Sequence, residues 1–206
     1  MTARTAGTGR SRGRPTGGTD ARAKILASAR TAFADRGYDG ATIRAIAGAA
    51  GVDPALVHHY FGTKEGLFAA SMALPMTPGD VLPGVLAGPL DDLGERLVRL
   101  FLAVWDEPAA RRPLIAVIRS ATSHALAATM MREFVEHALV GRIAARLDSQ
   151  DAHLRASLVS SQMVGIALTR YVLRLEPLAS SDHDEVVAAV APTLQRYLTG
   201  SLKPER

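Results

Sequence analysis

The stretch from Thr42 to Phe61 constrains the fold more tightly than any other part of the chain. Thr42 can cap a helix whose apolar positions are Ile43, Ile46 and Ala47. Asp53-Pro54 can open a second helix. An Asp side chain accepts from an orphan N–H at the N-cap, and Pro at the first helical position lacks only a donor that would be unpaired there. Between the two lie Ala50-Gly51-Val52. Gly51 can take positive φ, so the chain can turn sharply, and Val52 can fill the space between the helices. Helices over 42–49 and 53–60, joined by three residues with a central Gly, make a helix-turn-helix.

The flanking segments are helical too. Thr19 or Asp20 can cap a helix with the stripe Ile25, Leu26, Ala29 and Phe33, closed by Gly37. Another starts at Thr63-Lys64-Glu65 and runs through Leu67, Phe68 and Met72. Residues 75–89 carry Pro75, Pro78, Pro83 and Pro89 with Gly79, Gly84 and Gly88, which break any long helix and mark a hinge. A short helical turn from Asp80 to Leu86 is compatible with this. Beyond the hinge, Leu93, Leu97, Leu100, Phe101 and Val104 mark one helix. Leu114, Val117, Ile118 and Ala121 mark a short one after Pro113. Leu126, Met130, Phe134 and Ala138 belong to a long one, and Leu154, Leu158, Ile166 and Leu173 to a further one after Asp151. Asp182 with Glu185 resembles a capping box before Val186, Val190, Leu194 and Tyr197. No strand alternation persists anywhere. The expected fold is all-α with nine helices: a basic arm without regular structure over 1–19, a helix-turn-helix domain over 20–68, and a helical domain over 69–206.

Composition narrows the function. The chain has no Cys, which excludes disulfides and thiolate chemistry and fits a reducing, cytoplasmic setting. No run of 18 apolar residues exists, so no membrane helix is expected, and the first residues lack the apolar core of a secretory signal. No nucleophile elbow, HExxH, P-loop or dinucleotide fingerprint occurs, and the acids are scattered, so catalysis is not expected. His58 and His59 diverge on a helix and lack a third ligand at the required spacing, so neither metal nor cofactor is expected. The net charge of +4 is uneven. Residues 1–68 hold ten Lys/Arg against five Asp/Glu, and the remainder holds fourteen against fifteen. The positive excess therefore coincides with the helix-turn-helix, as a contact with nucleic acid would require. Small residues opening the second helix, Pro54 and Ala55 with Leu56, let its backbone approach base edges in the major groove. His58, His59 and Tyr60 supply hydrogen-bonding tips one turn later. Lys64 and Arg44, each near a helix start, are placed to meet phosphates.

Taken together, residues 22–67 resemble the DNA-binding domain of the TetR/AcrR family of bacterial repressors. The resemblance is carried by Ile25-Leu26, Ala29, Phe33, Gly37-Tyr38, Thr42, Ile46-Ala47, Ala50-Gly51-Val52, Val57-His58-His59-Tyr60-Phe61 and Lys64-Glu65-Gly66-Leu67. It implies a homodimer that binds a palindromic operator in double-stranded DNA and is released by a small hydrophobic effector, here unidentified. An activator, or an architectural DNA binder without an effector, is the alternative. By position, Pro54, Ala55 and Leu56 match base-contacting residues, and Thr42, Arg44, Tyr60 and Lys64 match phosphate-contacting ones. The pair His58-His59 stands where relatives carry an aromatic pair, which leaves open which of the two meets a base. Arg12 and Arg14 of the basic arm are candidates for the minor groove.

Two expectations concern the second domain. Ser157, Ser161, Gly165 and Thr169 form a small-residue stripe on a helix that is apolar on nearly every side, so a second subunit is expected to cover it, with Val190 and Leu194 on the partner stripe. Phe101, Trp105, Met130, Phe134 and Met163 are the candidate lining of an effector pocket, with His124 and His137 as candidate polar contacts.

Overall fold

The computed structural model describes residues 17–202, and Arg12 and Arg14 lie outside them. All regular structure among the described residues is helical, in ten helices. They are α1 (Gly17–Gly40), α2 (Ile43–Ala50), α3 (Pro54–Phe61), α4 (Lys64–Ser71), α5 (Pro78–Leu86), α6 (Leu93–Asp106), α7 (Pro108–Ser123), α8 (125–144), α9 (152–172) and α10 (His183–Thr199). α8 contains a π-helical stretch at Val135–Val140, and α9 ends in another at Ala167–Val172.

The tenth helix is α5, which the sequence allowed only as a short turn. Helix α1 begins at Gly17, ahead of Thr19 and Asp20, so the last residues of the expected arm are helical. Its break falls where expected: Gly37 sits at φ 69° and ψ 175°, and a further turn runs on to Gly40. A β-carbon at Gly37 would also come within 3.1 Å of a Glu133 carboxylate oxygen. α7 starts six residues earlier than the sequence suggested. Glu107 caps it, Pro108 takes its first position, and Pro113 is carried inside at the loss of one backbone hydrogen bond.

Two cores organise these helices. The amino-terminal one collects Ile25, Ala29, Phe33, Ile46, Ala47, Val57, Leu67 and Phe68, with Phe33 and Phe68 meeting edge-on at 4.7 Å between ring centroids. The larger one gathers Leu93, Leu97, Val98, Leu102 and Trp105 of α6 with Val159 of α9 and Val186, Val187, Leu194 and Leu198 of α10. The capping box of α10 is formed: Asp182 Oδ1 accepts from Glu185 N at 2.8 Å and Glu185 Oε2 from Asp182 N at 3.2 Å.

The cores do not divide at residue 68. Met72 and Leu74 still belong to the first, and Met130 of α8 is buried in it, with Val117 and Phe134 packed alongside. The first half of α8 therefore closes the floor of the helix-turn-helix domain.

Candidate nucleic-acid interface

The helix-turn-helix is built by local rules. Thr42 Oγ1 accepts from Ala45 N at 3.2 Å and starts α2. Gly51 ends it in the left-handed region, φ 68° and ψ 35°, its N–H turned back to Ala47 and Gly48. Asp53 Oδ1 then accepts from Ala55 N at 2.7 Å, which holds the exposed start of α3 open. Thr63 Oγ1 caps α4 in the same way, through Gly66 N at 3.0 Å.

α3 presents one face to solvent and one to the core. Val57 is 1% exposed and anchors the helix. Phe61, one turn on, is half-buried against the same core and lies under the Arg22 guanidinium at 5.4 Å. Opposite, Pro54, Ala55, His58 and His59 are exposed. Pro54 and His58 are four residues apart, as are Ala55 and His59, so the four form a single patch. Thr42 and Arg44 at the start of α2 are exposed too. Leu56 and Tyr60 are half-buried on the flank, and Tyr60 packs on the core.

The two histidines differ. His58 Nδ1 lies 2.9 Å from Gly62 O and is tied to the end of its own helix. His59 keeps an exposed ring whose centroid is 5.5 Å from that of Tyr60. Lys64 is more engaged than the sequence suggested. Its ammonium donates to Asp39 O at 3.2 Å and lies 4.6 Å above the Tyr38 ring.

Behind the patch, charged residues that the sequence did not single out join the two domains. Glu65, beside Lys64, accepts from Arg142 of α8 at 2.6 Å and from Gly79 N, at the start of α5, at 2.9 Å. Glu133 of α8 accepts from Tyr38 N at 2.9 Å. His137 Nε2 lies 3.4 Å from Glu133 and 3.6 Å from Asp39, and its ring is 5.2 Å from that of Tyr38. Burial, reinforced by the Glu65 carboxylate and opposed by Arg142, pushes the Tyr38 hydroxyl above its ordinary pKa. These pairs span 77 or more residues of sequence, and no local pattern announces them.

The candidate effector residues separate into two groups. Phe101, Trp105 and Met163 share the larger core, with the first two rings 5.6 Å apart. Met130 and Phe134 belong to the other core and do not join them. This corrects the expected grouping: the apolar stripe of α8 changes partner along its length, so spacing on one helix does not assign its residues to one cavity. His124 is exposed at the α7–α8 junction, and His137 faces Tyr38, so neither lies with Trp105. Tyr171, unmarked in the sequence, does, with its ring 5.2 Å from Trp105.

The expected partner-facing stripe also divides. Ser161 and Gly165 are exposed and Ser157 and Thr169 half-buried on α9. Leu154, Val164 and Leu168 flank them with 56%, 45% and 38% of their surface exposed. On α10, Val190 is half-buried, but Leu194 is 0% exposed. Leu194 is therefore a core residue of its own subunit and not an interface residue, because α10 turns that side toward α6. No group of three or more metal-ligating side chains occurs among the described residues, and none of their helices is long and apolar enough to cross a membrane.

Comparison with known proteins agrees with this layout. Residues 25–71 match the family model described as bacterial regulatory proteins, tetR family. Residues 91–198 match the tetracyclin repressor-like carboxy-terminal domain. The HTH-type transcriptional repressor AcnR of Corynebacterium glutamicum is 46% identical over 52 residues, which is 25% of this chain and 28% of that protein. The matched region thus spans little more than a quarter of that curated relative. A TetR-family regulator from Streptomyces coelicolor A3 is 40% identical, covering 91% of this chain and 99% of that one, with a TM-score of 0.49. A transcriptional regulator from Rhodococcus sp. Rha1 is 21% identical over 89% of this chain and 99% of that one, with a TM-score of 0.46. With both of its domains matched in order, the chain belongs to the tetR family of bacterial regulatory proteins, DNA-binding regulators of transcription.

Proposed function

We propose that two copies of this chain form a repressor that binds a palindromic operator and lets go of it when a small molecule enters the larger domain. The observation that carries the reading is the exposed patch of Pro54, Ala55, His58 and His59 on a helix anchored by Val57. The patch has no bulky side chain at its leading end, so the backbone of α3 can reach base edges. His59 is the better candidate for a base contact, since His58 is tied to Gly62. Thr42, Arg44, Tyr60 and the unused N–H groups of Lys64 supply phosphate contacts. A twofold dimer sets two such patches in successive major grooves, roughly 34–36 Å apart. The exposed apolar stripe of α9 supports the dimer. The repressor character of AcnR supports the direction of regulation.

An effector can release the operator only by favouring a head spacing that the DNA does not accept. A coupling of about 1–3 kcal/mol would weaken binding about 5–150-fold. The test is selection of bound genomic fragments with purified protein, then footprinting of the strongest. The expected footprint is palindromic. Ala55→Trp, at an exposed position, is expected to keep the fold and to lose or re-target that site. An unchanged preference in this variant shows that α3 does not enter the groove.

A further inference from the structure

The larger domain buries a cation that the described residues leave without a counter-ion. Arg170, in the π-helical end of α9, is 7% exposed. Its terminal nitrogens donate to the carbonyl oxygens of Leu178 and Ser181, the latter at 2.8 Å. Its Nε–H has no acceptor, and no described carboxylate lies within 4 Å of the guanidinium. Next in sequence, Tyr171 is 8% exposed, and its hydroxyl also has no hydrogen bond. Burial pushes that hydroxyl up to a pKa of about 12, with Asp106 adding to the rise and Arg170 opposing it. Asp106 is itself engaged by His183.

These two groups stand at the edge of an aromatic cluster. The Arg170 guanidinium carbon is 5.6 Å from the Tyr171 ring. That ring stacks on Trp105 at 5.2 Å and 25°, and Phe101 closes the group at 5.6 Å from Trp105 and 6.3 Å from Tyr171. Met163, an adaptable side chain, packs against the same core.

A buried polar group without a partner is costly, and a buried charge without a counter-ion more so. Holding the segment after α9 uses only the two terminal nitrogens of Arg170, so that role leaves the Nε–H and the Tyr171 hydroxyl unexplained. Both are donors. A ligand that satisfies them brings acceptors, its charge is negative, and its body suits three aromatic rings. We propose that the effector is an aromatic carboxylate, its ring against Phe101, Trp105 and Tyr171 and its carboxylate accepting from Arg170 Nε and the Tyr171 hydroxyl. This rests on the reading of the larger domain as the effector domain and adds the ligand's chemical class.

Trp105 is the single Trp of the chain, so its fluorescence reports on the site directly. The full-length protein is titrated with benzoate and 2-naphthoate, and with their methyl esters as neutral counterparts. The carboxylates are expected to change Trp105 emission saturably and to raise the unfolding temperature. The esters are expected to bind at least about tenfold more weakly, as one lost charge-assisted hydrogen bond implies. Tyr171→Phe keeps the ring and is expected to lose about tenfold in carboxylate affinity with ester binding unchanged. Arg170→Lys, which keeps the charge but not the planar fork, is expected to reduce the preference for carboxylates over esters. The proposal is overturned by no saturable response up to about 10 mM, by equal affinity for acid and ester, or by a Tyr171→Phe variant that binds carboxylates as well as the parent. Carboxylate binding that leaves affinity for the selected DNA unchanged would sink the release mechanism and keep the anion site. Release of the DNA by other compounds, with no carboxylate response, would do the reverse.

Discussion

Breaking the Glu65–Arg142 pair should loosen the reading head from the larger domain. The pair joins the first turn of α4 to the last turn of α8 at 2.6 Å, with side chains 22% and 32% exposed. Charge centres about 4 Å apart attract by about 4 kcal/mol at an effective dielectric of about 20. Desolvation of two half-buried groups takes back most of that, leaving a coupling of about 1–2 kcal/mol. Glu65→Gln keeps the shape and an oxygen for Gly79 N, and Arg142→Met keeps the stem, so each variant removes mainly charge. The assay is a double-mutant cycle from urea unfolding at low and high salt. The coupling should shrink with salt, because both groups retain contact with water. In the same variants an effector should change DNA affinity less, since the tie that transmits domain movement is gone. Strict additivity, with a coupling under about 0.3 kcal/mol, would refute the reasoning.

Three further outcomes are expected. Lys64→Ala should weaken binding to all sequences alike and reduce the salt slope by about one unit; a change in base preference would show that Lys64 does not serve a phosphate. Leu168→Arg should give a monomer mass in light scattering with the helical signal retained, whereas Leu194→Ala, at a fully buried site, should cost about 2–5 kcal/mol of stability and leave the dimer intact. The opposite pairing of results would return Leu194 to the interface. The Tyr171 pKa is raised to about 12 from 10.0, so the unfolded chain loses this proton first. The associated stability is complete below pH 10 and falls as pH rises from about 10 to about 12, and Tyr171→Phe should flatten that part of the urea-midpoint profile.

The helix-turn-helix was legible because its signals are local. Thr42, Gly51, Asp53 and Pro54 act within one turn of where they stand, through a cap, a positive φ and a missing donor. The three-residue spacing makes α2 and α3 neighbours whatever the rest of the chain does. The candidate DNA face followed from the same periodicity, and the structure refined it by separating His58 from His59. Element boundaries were less legible. Pro113 reads as a helix start, yet Glu107 and Pro108 make a better one nearby, and one lost backbone bond inside α7 is tolerated.

The second domain was legible only as a set of amphipathic helices. Met130 and Phe134 lie on one stripe of α8, but the helix passes from one core to another. Leu194 and Val190 look alike in sequence, and only the packing of α10 on α6 separates a core residue from a half-buried one. Arg170 and Tyr171 were hidden because a single Arg and a single Tyr near the end of an apolar helix carry no pattern.

The chain by itself therefore determined the all-helical class, the helix-turn-helix and the location of its positive charge. Each depends on interactions across one to four residues, where sequence distance is spatial distance. The tertiary structure alone decided the clamp of Glu65, Arg142, Glu133 and His137, the division of the apolar residues between two cores, and the unpaired donors beside Trp105. Those depend on which faces of distant helices meet, and that is settled by how ten helices together bury their apolar surface.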